Sequence, residues 1–139
     1  MTPAELADLH ARSFTMPRPF TAEEFGELLA APSCFLCTVP GGFALGRAIA
    51  GEAELLTLAV DPDCRRQGLG RNLVQLFEAE AVRRAADIAF LEVADTNAAA
   101  HALYLAAGYL ETGRRPGYYR APDGTLVDAL IMQKALRPL

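Results

Sequence analysis

The hydrophobic pattern of the chain switches between two periods, and each switch marks an element. Thr2 and Glu5 have the spacing of a capping box, with Pro3 at the first helical position, so a helix is predicted over about residues 3–13. Pro17 and Pro19 interrupt it. Thr21 and Glu24 repeat the capping box ahead of a second helix of about ten residues that ends near Pro32. Strand-like stretches follow at about 33–39 and 43–50, joined as a hairpin through Pro40-Gly-Gly42. A third, at about 53–60, ends in Leu58-Ala-Val60 before Asp61-Pro62. Leu69, Leu73, Leu76 and Phe77 then fall at i, i+4, i+7 and i+8, the apolar stripe of a helix running to about residue 86. Ile88 to Val93 reads as a buried strand, and Asp95, Thr96 or Asn97 can cap a helix over 98–106 that closes at Gly108. Two last strands, near 109–114 and 126–134, flank a loop, Arg115-Pro-Gly-Tyr-Tyr-Arg-Ala-Pro-Asp-Gly124. Helices set among hairpins, with one strand–helix–strand unit in the middle, predict an α+β fold on a mixed sheet.

Composition narrows the function classes. With 139 residues the chain fits a single domain, 1–139, and a 52% hydrophobic content supports one proper core. The net charge of −4 argues against a general nucleic-acid surface, which needs clustered Lys and Arg. No run of about 18 apolar residues suggests a membrane span, and the N-terminal residues lack the pattern of a signal peptide. Three cysteines without a secretory context point to reduced thiols and a cytoplasmic location. Cys34 and Cys37 form a Cys-x-x-Cys, but zinc wants two further ligands and only His10 and His101 are in reserve, so no metal is expected. The pair lies inside a predicted strand, where an odd spacing sends the two side chains to opposite faces.

The segment Leu58-Ala-Val-Asp-Pro-Asp-Cys-Arg-Arg-Gln-Gly-Leu-Gly-Arg71 carries the chemistry. A strand ends, a short glycine-containing loop follows, and a helix begins. The first turn of a helix has four unpaired N–H groups and a partial positive charge. Glycines at 68 and 70 let an anion approach the backbone, and Arg66 and Arg71 add charge, which describes a site for a pyrophosphate. The Gly-Lys-Ser/Thr ending of a Walker A loop is absent, and Leu73 stands where a Rossmann fingerprint needs its third glycine.

Arg65-x-x-Gly68-x-Gly70 after an apolar strand and Asp61-Pro62 resembles the acetyl-CoA motif of the GNAT N-acetyltransferase superfamily. Leu91-Glu-Val-Ala-Asp-Thr-Asn-Ala-Ala-Ala100 and Ala102-Leu-Tyr-Leu-Ala-Ala-Gly-Tyr109, with Arg114-Arg115, Tyr118-Tyr119 and Asp128-Ala-Leu-Ile-Met132, are similar to the ribosomal-protein alanine N-acetyltransferases, the RimI group. The resemblance covers roughly residues 52–134. It implies a mostly antiparallel sheet flanked by helices, with a splayed central strand pair. The family's first edge strand is expected to be missing, because the chain starts almost at its first helix.

The resemblance also assigns roles. Leu58, Ala59 and Val60 are expected to hold pantetheine by their backbone; Arg66, Gln67, Gly68, Leu69, Gly70 and Arg71 hold the pyrophosphate, and Asn97 contacts the co-substrate. Glu92 matches the family's general base and Tyr104 its general acid, while Glu54 on the preceding strand is a rival base. Tyr118 and Tyr119 resemble a peptide-gripping lid. The implied activity moves an acetyl group from acetyl-CoA to a primary amine. The N-terminal alanine of a small-subunit ribosomal protein is the leading acceptor, and a small amine or lysine is the alternative. A non-catalytic acyl-CoA-binding module would need neither base nor acid. A monomer or weak dimer is expected.

Overall fold

In a computed structural model of the chain, residues 1–13, 18–65 and 67–137 are described. Two helices, α1 (Pro3–Ser13) and α2 (Ala22–Ala30), open the fold, followed by β1 (Cys34–Val39), β2 (Gly42–Ile49) and β3 (Glu52–Val60). A 3₁₀ turn at Pro62–Cys64 leads into α3 (Leu69–Arg83). Then come β4 (Ile88–Ala94), α4 (Ala98–Ala106), β5 (Leu110–Arg120) and β6 (Leu126–Ala135). The six strands form one sheet in the order β1-β2-β3-β4-β6-β5. Every neighbouring pair is antiparallel except β3 and β4. Among the described residues no strand precedes α1, and β1 is an edge.

Both N-terminal helices start as their sequences dictate. Thr2 and Glu5 exchange backbone-to-side-chain hydrogen bonds of 3.1 Å, and Thr21 and Glu24 form the same reciprocal cap. Helices α1 and α2 cover one face of the sheet, and α3 and α4 the other. Leu6 and Leu9 of α1 and Phe25 of α2 pack with Phe43, Leu45 and Ala59. Leu73, Val74, Phe77 and Ala81 of α3 and Tyr104 of α4 pack with Leu55, Leu91, Val93, Leu130 and Met132. Cys34 and Cys37 are separate free thiols on opposite faces of β1: Cys37 packs on the α3 side with Phe35, and neighbouring Leu36 packs on the other.

One predicted element is corrected. The segment from Arg115 to Gly124 is not a loop, because β5 continues through Tyr118 and Tyr119 to Arg120 and turns only at residues 121–125. Pro116 and Gly117 are absorbed by a register shift between Arg115 and Tyr119, and the Asp128 carboxylate accepts the Gly117 N–H at 2.9 Å. A proline is tolerated there because β5 is an edge strand. The α3 helix also ends three residues early, at Arg83 rather than near 86.

Candidate active site

Strands β3 and β4 pair only over Glu52, Ala53 and Glu54. Beyond Glu54 they diverge. The cause lies in β3, whose register against β2 slips by one between Leu45 and Gly46, so that Leu56 is an extra residue on β3. A bulge bends its strand and sharpens the local twist, and this one sits where β3 leaves β4. It also resets the side-chain alternation. Ala53 and Leu55 belong to the α3-side core, as Leu58 and Val60 do beyond the bulge, while Leu56 and Ala59 turn to the α1 side.

The gap opens a cleft of about 600 Å³, lined by residues 55–60 of β3, residues 91–94 of β4 and the start of α3. Hydrogen-bonded pairs alternate along an antiparallel ladder. The Asp61 N–H donates to Gly41 O at 2.7 Å, which places Asp61, and with it Ala59, on the β2 side of that alternation. Leu58 and Val60 therefore aim their backbone groups into the cleft, while Ala59 is buried with Leu6 and Leu9.

The α3 helix points its N-terminus at this cleft. Its N-cap, Gly68, has φ +75°, a left-handed conformation that favours glycine. It makes no side-chain cap, and the first helical N–H to find a helix carbonyl is that of Asn72, to Gly68 O. The N–H groups of Leu69, Gly70 and Arg71 are left to an outside partner. Gly70 is needed for another reason: a Cβ there would lie 3.1 Å from Leu103 of α4. Arg65 and Arg71 line the cleft and have no carboxylate partner among the described residues. Gln67 is exposed beside it, and Arg66 lies outside the described residues.

Glu92 lies on β4 between Leu91 and Val93, which face the α3 core, so its carboxylate points to the α1 side of the gap. It lines the cleft and is paired with Arg115 of β5 at 3.3 Å. The Arg115 guanidinium also stacks 5.0 Å from the Tyr118 ring. Tyr119 is half-buried beside Glu92, and its hydroxyl pKa is pushed up to about 12 by burial first and by that carboxylate next. Both tyrosines stand next to the cleft rather than in it. Glu54 sits at the vertex of the split, is engaged by Arg47 at 2.8 Å, and does not line the cleft.

On the opposite side of the gap stand Asn97 and Tyr104. Asn97 caps α4, its Oδ1 accepting the Ala100 N–H at 3.1 Å, which leaves its amide N–H groups for the cleft it lines. Two turns on, Tyr104 is 8% exposed and packs edge-to-face on Tyr109. Burial raises its hydroxyl pKa, so the phenol stays protonated at neutral pH. That hydroxyl has no hydrogen-bond partner among the described residues. A carboxylate on one side of the gap and a protonated phenol on the other thus line the same cleft.

Sequence reasoning missed one pair. His10 of α1 is 3% exposed and lines the cleft beside Thr57 of β3. The Phe20 N–H donates to His10 Nδ1 at 2.8 Å, so the ring proton is on Nε2, which donates to Thr57 Oγ1 at 2.8 Å. The available signal was helical spacing: Leu6, Leu9 and His10 fall on one stripe, which placed His10 in a core rather than among metal ligands. Among the described residues no cluster of His, Cys, Asp and Glu could hold a metal ion, and no helix is long and apolar enough to cross a membrane.

This architecture has known counterparts. The chain matches the acetyltransferase (GNAT) family over residues 4–109 and belongs to that family. It is 44% identical over 90 residues to the [ribosomal protein bS18]-alanine N-acetyltransferase of Escherichia coli, a match covering 65% of this chain and 60% of that protein. It is 33% identical to the N-alpha-acetyltransferase RimI of Mycobacterium tuberculosis, over 92% of this chain and 83% of that protein. The crystal structure of the Escherichia coli ribosomal-protein-S18-alanine N-acetyltransferase superposes with a TM-score of 0.85 at 32% identity, covering 99% of this chain and 88% of the other.

Proposed function

We propose that this protein transfers an acetyl group from acetyl-CoA to a primary amine, and that its acceptor is the N-terminal alanine of a ribosomal protein. The observation that carries the reading is the split between β3 and β4, which puts Glu92 and Tyr104 on one cleft with the N-terminus of α3. The donor set suits acetyl-CoA. Three unpaired helix N–H groups with Arg65 and Arg71 meet a pyrophosphate. The backbone edge at Leu58 and the Val60 N–H meet the amide-bearing pantetheine arm, the Val60 carbonyl being taken by Ser13 Oγ at 3.1 Å, and Asn97 adds side-chain donors. Acetyl-CoA, when bound, supplies the acetyl group as a thioester.

The protein's own residues then manage two protons. Glu92 takes one from the acceptor ammonium, directly or through water, freeing the nitrogen lone pair for attack, and the nitrogen's second proton passes to solvent as the amide forms. Tyr104 donates one toward the leaving sulfur. No protein nucleophile is involved, so Cys64, which also lines the cleft, carries no acetyl group. Arg115 keeps a positive charge beside the Glu92 carboxylate until the acceptor arrives. Tyr118 and Tyr119, on the edge strand next to Glu92, flank the approach of a peptide chain. The alanine acceptor is supported by the names of the relatives and by similarity through residues 91–132. Free thiols at Cys34, Cys37 and Cys64 fit a cytoplasmic enzyme.

The test incubates the protein with acetyl-CoA and three acceptors: an alanine-initiated ribosomal-protein peptide, a lysine peptide with a blocked N-terminus, and a small amine. Preference for the first is the expected result. No acetylation of any amine would leave a binding module as the better reading. CoA should also stabilise the fold, by roughly 2.7 kcal/mol at about 100 times its dissociation constant. An unmoved melting temperature at millimolar CoA would remove the co-substrate assignment altogether.

A further inference from the structure

We infer that the Thr57 hydroxyl is the donor that recognises the carbonyl next to the acceptor's amine, and that His10 is the positioning residue that aims it. The inference rests on the transfer reading above and narrows its acceptor to an α-amino acyl group.

The direction of each proton follows from one fixed donor. The Phe20 N–H can only donate, so His10 Nδ1 accepts and Nε2–H donates, which makes the Thr57 oxygen an acceptor toward His10. The Thr57 hydroxyl proton must therefore point elsewhere, and no group among the described residues receives it. His10 is held in place by edge-to-face contacts with Phe20, Phe25 and Phe43. At 3% exposure, with both ring nitrogens engaged by Phe20 and Thr57, it has no polar atom to offer a substrate.

The bulge decides where that proton goes. Without the extra Leu56, Thr57 would continue the alternation of Ala53 and Leu55 and point into the α3-side core. With it, Thr57 meets α1 and lines the cleft on the face to which Glu92 points from the other lip of the gap. An amine offered to Glu92 presents N–H groups, which the carboxylate accepts. A lone O–H donor opposite is matched by an oxygen acceptor in the same molecule. A carbonyl on the carbon that bears the amine supplies one at the right reach; the carbonyl of a lysine residue lies a full side chain away from its ε-amine. Thr57 thus selects a chain N-terminus over a lysine.

The experiment compares kcat/KM for an alanine-initiated peptide with that for propylamine, which has no carbonyl, in the wild type, Thr57→Val, Thr57→Ala and Thr57→Ser. Valine keeps the shape and removes the hydroxyl. The peptide-to-propylamine ratio should fall about tenfold in the valine and alanine variants, the scale of one lost hydrogen bond, and return in the serine variant. His10→Gln should lower the ratio alone and add nothing in the Thr57→Val background. An unchanged ratio overturns the inference, including the case in which both rates fall equally, which would make Thr57 a donor to the acetyl carbonyl. A wild type active only on propylamine also overturns it while leaving acetyl transfer intact. A wild type inactive on every amine overturns transfer and this inference together.

Discussion

Acid should destabilise this protein through His10 before its carboxylates respond. Burial lowers the His10 pKa from 6.5 to about 4, opposed in part by the Glu24 carboxylate. The geometry acts in the same direction, because a second ring proton would sit on Nδ1, facing the Phe20 N–H at 2.8 Å. The unfolded chain takes up that proton near pH 6.5 and the folded chain only near 4, so between those values the unfolded state binds more protons. Stability is therefore full above about pH 6.5 and is lost as the pH falls through this window. The whole difference corresponds to about 3 kcal/mol, of which about 2 kcal/mol is lost between pH 7 and pH 5. That is a large part of a domain's usual margin of about 5–15 kcal/mol. Glu24 and Glu80 do not mask the window. Their partners Arg18, Arg83 and Arg84 and the Thr21 backbone hold them near 2, so their contribution begins to fade only below about pH 5. Urea unfolding at pH 7, 6 and 5 measures the slope, with His10→Gln as the non-titrating control. Equal slopes in the wild type and the control would refute the buried, neutral histidine.

Other residues give sharper functional tests. Glu92→Gln should lower kcat by roughly 10²–10⁴ with CoA affinity intact, whereas Glu54→Gln, whose carboxylate is held by Arg47 away from the cleft, should change kcat little. The reverse pattern in steady-state kinetics would move the base to Glu54. Tyr104→Phe keeps the ring packed on Tyr109 and removes the donor, so turnover at saturating substrate should fall while the melting temperature holds; the opposite outcome would make the residue a core aromatic only. Gly68→Ala places a Cβ at φ +75° with no clash, so it should cost about 1 kcal/mol of stability by strain alone and weaken the CoA-induced thermal shift. A full CoA shift in that variant would show that the loop conformation is not what binds the phosphates.

Much of the site was written in local signals. Capping boxes, the apolar stripe of α3 and the glycines before it depend on neighbours in sequence, so the helix starts and the left-handed glycine ahead of α3 were legible. The hairpin error came from the same reliance on local signals. Pro116 and Gly117 are turn residues by composition, but the Asp128 carboxylate and an edge position let them sit in a bulged strand. The β3 bulge had no local mark at all. Glu52 to Val60 reads as one strand, and only its register against β2 reveals that Leu56 is supernumerary. The role of His10 was missed for a related reason: it depends on Thr57 and on Phe20, Phe25 and Phe43, brought together from other parts of the chain.

The bulge also explains why the site can work across a sheet at all. Tyr104 belongs to the α3 and α4 side, while Glu92 and Thr57 belong to the α1 side. In a continuous sheet the backbone layer would lie between Tyr104 and Glu92, and its N–H and C=O groups would be consumed by neighbouring strands. Pairing that stops at Glu54 removes that barrier over the length of one cleft and leaves the Leu58 backbone and the Val60 N–H without a strand partner, the Val60 carbonyl accepting the Ser13 hydroxyl at 3.1 Å. One side of the gap can then hold the anionic co-substrate at the α3 terminus while the other admits the amine, and the two meet where the strands part. In the proposed mechanism each proton is then handled on its own face: removed from the amine by Glu92, delivered to sulfur by Tyr104. A single extra residue in β3 thus stands where the strands part and sets the side-chain facing of Thr57.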